Sequence, residues 1–183
     1  MEYEEIISGL REMQGWNDFA ASLLSQYGRK GALSERQWDA AERTILKSRE
    51  TTARLEQNRK QVDVSRLSNL LKTALESGIK NPAFRVGSLQ FSLAPTTGRN
   101  VGAVYVRFGK EYAGKIMGGV FMPVATAPDW LGENIEDVAK DPRGKAVEHG
   151  RLTGRCSCCG RELSDPKSVA LGIGPVCADQ WGL

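Results

Sequence analysis

The stretch Val101-Gly102-Ala103-Val104-Tyr105-Val106-Arg107-Phe108, then Gly109-Lys110-Glu111, then Tyr112 to Phe121, decides the fold. Val104, Val106 and Phe108 alternate with Tyr105 and Arg107. That period of two belongs to a strand with one face turned to a core. Gly109-Lys110-Glu111 reads as a short turn, and residues 112–121, with Gly114, Gly118 and Gly119, as a further strand. Upstream, Phe84, Val86, Leu89, Phe91 and Leu93 form a strand broken at Gly87-Ser88, and Pro95 to Asn100 is turn chemistry. Three strands joined by short turns predict an antiparallel meander.

Helical patterns flank it. Leu67, Leu70, Leu71, Ala74 and Leu75 share one helical face, with Gly78 as a stop and Pro82 blocking continuation. Residues 129–141 predict a short helix that ends at Asp141-Pro142. Near the N-terminus, Trp16, Phe19, Ala20, Leu23, Leu24 and Tyr27 recur at steps of three and four, and Gly28 and Gly31 bracket the end of that helix. Ser34 with Gln37 is a capping-box pattern, opening a second helix whose stripe is Trp38, Ala41, Ile45 and Leu46. Residues 47–61 offer only Ala53 and Leu55 as apolar side chains, so they form a solvated helical extension or a linker. Trp16 and Trp38 either pack the two helices together or serve as a docking surface. The expected architecture is α+β in three parts. These are an N-terminal helical pair with its extension (1–62), a small antiparallel sheet with flanking helices (63–147), and a C-terminal cap (148–183).

Composition narrows the class. The 183 residues are 40% hydrophobic and 26% charged, which argues against wholesale disorder. No apolar run approaches the ~20 residues that span a bilayer. The acidic opening Met1-Glu2-Tyr3-Glu4-Glu5 lacks the basic-then-apolar order of a secretory signal, so a cytoplasmic location is expected, with no membrane partner. The formal net charge is +3, and all of it falls within residues 63–147. Between Lys80 and Pro128 the cations Lys80, Arg85, Arg99, Arg107, Lys110 and Lys115 are opposed only by Glu111. Aromatic residues interleave with them. Strand alternation puts Tyr105 and Arg107 on the same face, as a surface that grips phosphates and stacks bases requires. The competing reading makes the aromatics core and the cations a solvated face. The candidate nucleic-acid contacts are Arg85, Arg99, Tyr105, Arg107, Lys110 and Lys115.

All four cysteines lie between Cys156 and Cys177. Crowded thiols in a reducing compartment favour metal over a disulfide. Cys156 and Cys159, followed by Gly160, have the spacing of a knuckle that presents two thiolates to one ion. Cys177 follows the turn Gly172-Ile173-Gly174-Pro175 and supplies a third. A complete second knuckle would place a ligand at position 180, which is Gln180. Closed structural zinc takes four ligands. Cys158 is therefore expected as the fourth, with His149, the sole histidine, as the alternative and Asp179 behind both. Plain buried thiols and a three-ligand catalytic zinc are further readings. Against the catalytic one, no second histidine and no glutamate base flank the knuckle.

From Thr153 to Cys177 the chain resembles small Cys-rich zinc modules of bacteriophage and actinobacterial reading frames. Their shared pattern is Thr-Gly-x-Cys-x-x-Cys-Gly-Arg-x-Leu, Ser or Thr, Asp-Pro-x-Ser, then Gly, Ile or Tyr, Gly-Pro-x-Cys. The closing Trp181-Gly182-Leu183 fits the same pattern. Some members carry a ligand-capable residue three positions after the last cysteine, where this chain has Gln180. The segment from Trp16 to Trp38 resembles the N-terminal helical pairs of similar phage proteins. The resemblance implies bound Zn2+, a viral origin, an uncharacterised role and no enzymatic activity. No nucleophile–base set, phosphate loop or carboxylate pair is legible either, so no enzyme and no small-molecule substrate are expected. Two functions remain. One is a phage accessory protein that binds nucleic acid through the basic sheet. The other is an interaction module that docks on a host protein and modulates it.

Overall fold

The computed structural model describes all 183 residues. The chain forms two compact units, Met1–Glu56 and Gln57–Leu183. The first is three helices, α1 (Tyr3–Met13), α2 (Asp18–Lys30) and α3 (Glu35–Gln57). The expected pair is α2 and α3. Helix α1 is an addition, and its Ile6, Ile7, Leu10 and Met13 bury against Ala20, Leu23, Ala41 and Ile45. Asn17 caps α2 by accepting from the Ala20 amide, and Gly31 ends it in the left-handed region. Ser34 and Gln37 make the reciprocal capping bonds that start α3. The weakly apolar 47–61 stretch is helical through Gln57. Trp38 packs against Tyr3 and Tyr27, with ring centroids 4.6 and 5.9 Å away. Trp16 stays 67% exposed.

The second unit is built on a six-stranded antiparallel sheet of order β1-β6-β5-β4-β3-β2. The strands are β1 (Lys60–Gln61), β2 (Ala83–Val86), β3 (Leu89–Leu93), β4 (Val104–Phe108), β5 (Glu111–Met117) and β6 (Val120–Pro123). The break at Gly87-Ser88 is a hairpin turn, and Gly118-Gly119 folds the expected third strand into a hairpin of its own. Helices α4 (Ser65–Glu76) and α5 (Leu131–Lys140) follow the apolar stripe and the Pro stop of the sequence, whereas α6 (Pro142–Thr153), which the pattern does not announce, opens on that same proline. On the sheet's inner face, Phe84, Phe91, Val104, Val106, Ile116 and Phe121 share one core with Leu67 and Leu71 of α4 and Leu131 and Ile135 of α5.

A bulge lies between Val106 and Arg107 on β4. Val106 pairs with Gly114 and Arg107 with Tyr112, so Ala113 is the extra residue. The bulge shifts β5 by one residue, which turns Tyr112 to the same side as Lys115.

The C-terminal segment shares this core. Cys156, Cys158, Ile173 and Trp181 all belong to it, and the Trp181 ring lies 6.1 Å from Phe84. Two short helices, α7 (Pro166–Leu171) and α8 (Pro175–Trp181), complete the chain.

Candidate metal centre and basic sheet face

The knuckle is a tight hairpin closed by a bridge between Arg155 and Glu162. The Cys156 amide donates to the Arg161 carbonyl at 2.9 Å, and the Gly160 amide donates back to the Cys156 carbonyl at 2.8 Å. Gly160 sits at φ +74, a conformation that strains any residue with a Cβ. The third cysteine arrives from a different direction. Asp165 caps α7 through the Ser168 amide, Gly172 ends α7 in the left-handed region, and Pro175 opens α8 with Cys177 in its first turn. The Ser157 amide donates to the Gly172 carbonyl at 3.0 Å, which ties the knuckle to that turn.

These elements bring the sulfurs of Cys156, Cys159 and Cys177 to within 4.8 Å of one another. Three thiolates this close can hold a metal ion. The Cys156 thiol is held well below the usual thiol range, first by a hydrogen bond from the Cys158 thiol and then by the amides of Cys159, Gly174 and Cys158. An acceptor so surrounded by donors is stable as a thiolate, the form that ligates. Cys158 goes the other way. Its bond to Cys156 and its burial push its thiol far up. Burial, and then the neighbouring charge of Cys156, raise Cys177 as well. A cation in the middle of the cluster would offset that cost.

Residues 146–182 match DUF6011, a family of unknown function. No curated protein and no solved structure matches the chain. The match covers the knuckle, the turn and all four cysteines, and it is consistent with a small Cys-rich module.

The expected fourth ligands lie outside the cluster. Cys158 is buried and lines the same cavity, but its sulfur is not one of the three that lie within 4.8 Å of one another. Cys158 is buried while its neighbour Cys159 is exposed. His149, the alternative, accepts from the Gly87 amide through Nδ1 at 3.0 Å, with Nε2 3.5 Å from Thr153 Oγ1. Asp179 is not in the group either. Beside the three sulfurs opens a cavity of about 780 Å³, and Cys156, Cys158, Cys159 and Cys177 form part of its wall.

The basic residues fall in three places. On the sheet's outer face, one cross-strand row is Arg85, Gln90, Arg107 and Tyr112, and the next is Ser92, Tyr105, Lys115 and Met122. Tyr105, Arg107 and Lys115 thus share a face. Tyr112, which strict alternation would place opposite Lys115, joins them through the bulge. The Tyr105 and Tyr112 rings meet edge to face at 5.7 Å. Lys115 Nζ donates to Asn100 Oδ1 at 2.6 Å, and Asn100 Nδ2 donates to the Tyr105 hydroxyl at 3.0 Å. Arg99 and Lys110 are exposed, in the loop before β4 and in the β4–β5 turn. Arg85 is placed differently. Its guanidinium folds back on the Ala83 and Cys158 carbonyls and lines the cavity.

Proposed function

We propose that this chain is a zinc-containing, non-enzymatic accessory protein of phage origin, working in the host cytoplasm and binding single-stranded nucleic acid through the outer face of its sheet. The observation that carries the binding is the grouping of Tyr105, Tyr112, Arg107 and Lys115 on one side of the sheet. Arg107 and Tyr112 are exposed there, while Tyr105 and Lys115 are half-buried. Aromatic rings flanked by cations suit bases and phosphates of a single strand, whose bases are free to stack. Zinc is the metal this reading prefers. Tetrahedral bonds of about 2.3 Å put sulfurs ~3.8 Å apart, compatible with the cluster, and thiolates select zinc over the hard cations.

The test is fluorescence anisotropy of a labelled single-stranded oligonucleotide across a salt series. Each phosphate contact contributes about −0.7 to the log–log slope on single strands. Tyr112→Ala removes a stacking platform and is expected to cost roughly 1–3 kcal/mol of binding at constant salt. Absence of binding at low salt, or an unchanged affinity for Tyr112→Ala, would sink the proposal.

A second reading rests on Trp16 and Phe19, which are 67% and 44% exposed on the first unit. Large aromatic side chains left in water are frequent anchors of protein interfaces. In this reading the chain docks on a host protein, and Trp16→Ala abolishes that binding while oligonucleotide affinity stays as it was.

A further inference from the structure

We infer that the metal held by Cys156, Cys159 and Cys177 keeps one coordination position open to the adjoining cavity, and that this position accepts an imidazole nitrogen from outside the chain. The inference rests on the metal reading above and names what completes it.

Nothing within the chain fills the fourth position. No further histidine, cysteine or carboxylate ligand atom joins the three sulfurs. The Cys158 sulfur, buried in the wall of the same cavity, is outside that converging set. The His149 ring is held by Gly87 on one nitrogen and faces Thr153 on the other. Asp165 accepts both the Ser168 amide and the Ser168 hydroxyl, at 2.9 and 3.1 Å. The position one helical turn after Cys177, where a second knuckle would place its ligand, holds Gln180 in the cavity wall.

The cavity has room for an entering group. Its volume of about 780 Å³ lies within the ordinary range of ligand sites, roughly 300–1,000 Å³. Charge selects the kind of donor. A divalent ion with three thiolates carries a net charge of −1. A fourth thiolate or a carboxylate would raise that to −2 beside the partly buried sulfurs, at a desolvation cost. A neutral nitrogen donor leaves the charge unchanged. The wall suits a flat ring, since Ile79, Pro82, Leu163 and Trp181 are apolar. Asn81 and Gln180 add amides able to take the ring's distal N–H. The only histidine of this chain is already engaged, so the imidazole comes from another molecule, either a free heterocycle or a protein side chain.

The experiment uses the full chain loaded with Co2+, whose visible spectrum reports both donor type and thiolate number. Imidazole and the blocked tripeptide acetyl-Gly-His-Gly-amide are titrated separately, and bound cobalt is measured after each titration. The expected result is a saturable shift of the ligand-field bands with cobalt retained at one per chain. The sulfur-to-cobalt intensity stays that of three thiolates and is the same in Cys158→Ser. Tighter response to the tripeptide assigns the donor to a polypeptide, and tighter response to imidazole assigns it to a free heterocycle. A spectrum indifferent to both probes overturns the open position, as does extraction of the cobalt. A drop in charge-transfer intensity in Cys158→Ser shows a closed four-thiolate site, which overturns the open position while the metal reading stands. Failure to take up cobalt overturns both.

Discussion

Gly150 of α6 lies directly against Gly172, the residue that ends α7; a Cβ on Gly150 would overlap the Gly172 Cα. Gly172 is constrained twice, because it sits at φ +71 and a Cβ there would run into the Ala146 carbonyl. This glycine-to-glycine contact sets the close approach of α6 to the turn that delivers Cys177. Left-handed strain costs roughly 1–3 kcal/mol, and overpacking about as much again. Gly172→Ala is therefore expected to lose roughly 2–6 kcal/mol in urea denaturation. Gly28→Ala is the control. Its site in α2 is open and its φ is not left-handed, so the change gains up to about 1 kcal/mol from helix propensity.

The ligand set makes a sharper prediction. Ser at position 156, 159 or 177 removes one of three converging sulfurs, so each variant is expected to yield metal to a mild chelator. Cys158→Ser is expected to keep the metal at full stoichiometry, because a hydroxyl can still donate to the Cys156 sulfur. Losing a donor behind a ligand typically costs 10–100-fold in affinity without removing the site. The measurement is metal content after chelator dialysis. A Cys158→Ser protein as metal-free as Cys156→Ser would restore the four-cysteine site that the spacing suggested.

That difference shows what local spacing can and cannot convey. The two-residue gap between Cys156 and Cys159, with Gly160 behind it, specifies a knuckle whatever surrounds it, so those ligands were legible. The placing of the knuckle against the turn before Cys177 depends on the bonds of the Cys156 and Ser157 amides to Arg161 and Gly172, which leave no periodic mark in the sequence. The sheet follows the same division. Alternation in 101–108 fixed the face of Tyr105 and Arg107. It says nothing of Tyr112, whose face depends on a bulge that adds one residue without a composition of its own. Helix α1 is only weakly marked although Ile6, Leu10 and Met13 keep helical spacing, because its stripe is short beside the larger aromatic pattern that begins at Trp16. The fold of Arg85 onto the Cys158 carbonyl, which moves it from the basic face to the cavity wall, was beyond any pattern in the chain.

Ser157 offers a test of packing beside the metal centre. Its hydroxyl is fully buried and has no hydrogen-bond partner, while its backbone bonds to Gly172 and Arg85. An unmet buried hydroxyl carries a desolvation cost of about 1–3 kcal/mol, and alanine removes it with little loss of volume. Ser157→Ala is expected to raise stability by about 1 kcal/mol with metal content unchanged, read by thermal and urea unfolding of the metal-loaded protein. A destabilised variant would mean that the hydroxyl makes a bond in solution.

The His149–Gly87 bond gives the chain a pH response of definite sign. Nδ1 accepts the Gly87 amide, so the ring must be neutral, with its proton on Nε2 toward Thr153. Burial lowers its pKa, the nearby Cys156 charge opposes that, and Arg85 reinforces it. An unfolded histidine titrates near 6.5. Between that value and the lower folded one, the unfolded chain binds more protons, so stability rises with pH across the window. The contribution is complete above about 6.5 and is lost as pH falls from there toward the folded value. His149→Asn places a non-titrating acceptor near Nδ1 and keeps a partner for the Gly87 amide. Thiolate protonation also weakens metal binding in acid, but it acts on both proteins alike. The difference in unfolding free energy between wild type and His149→Asn, followed from pH 8 to pH 5, isolates the ring. It is expected to move against the wild type as pH drops below about 6.5. A difference that stays flat would show that His149 titrates alike in the folded and unfolded chain.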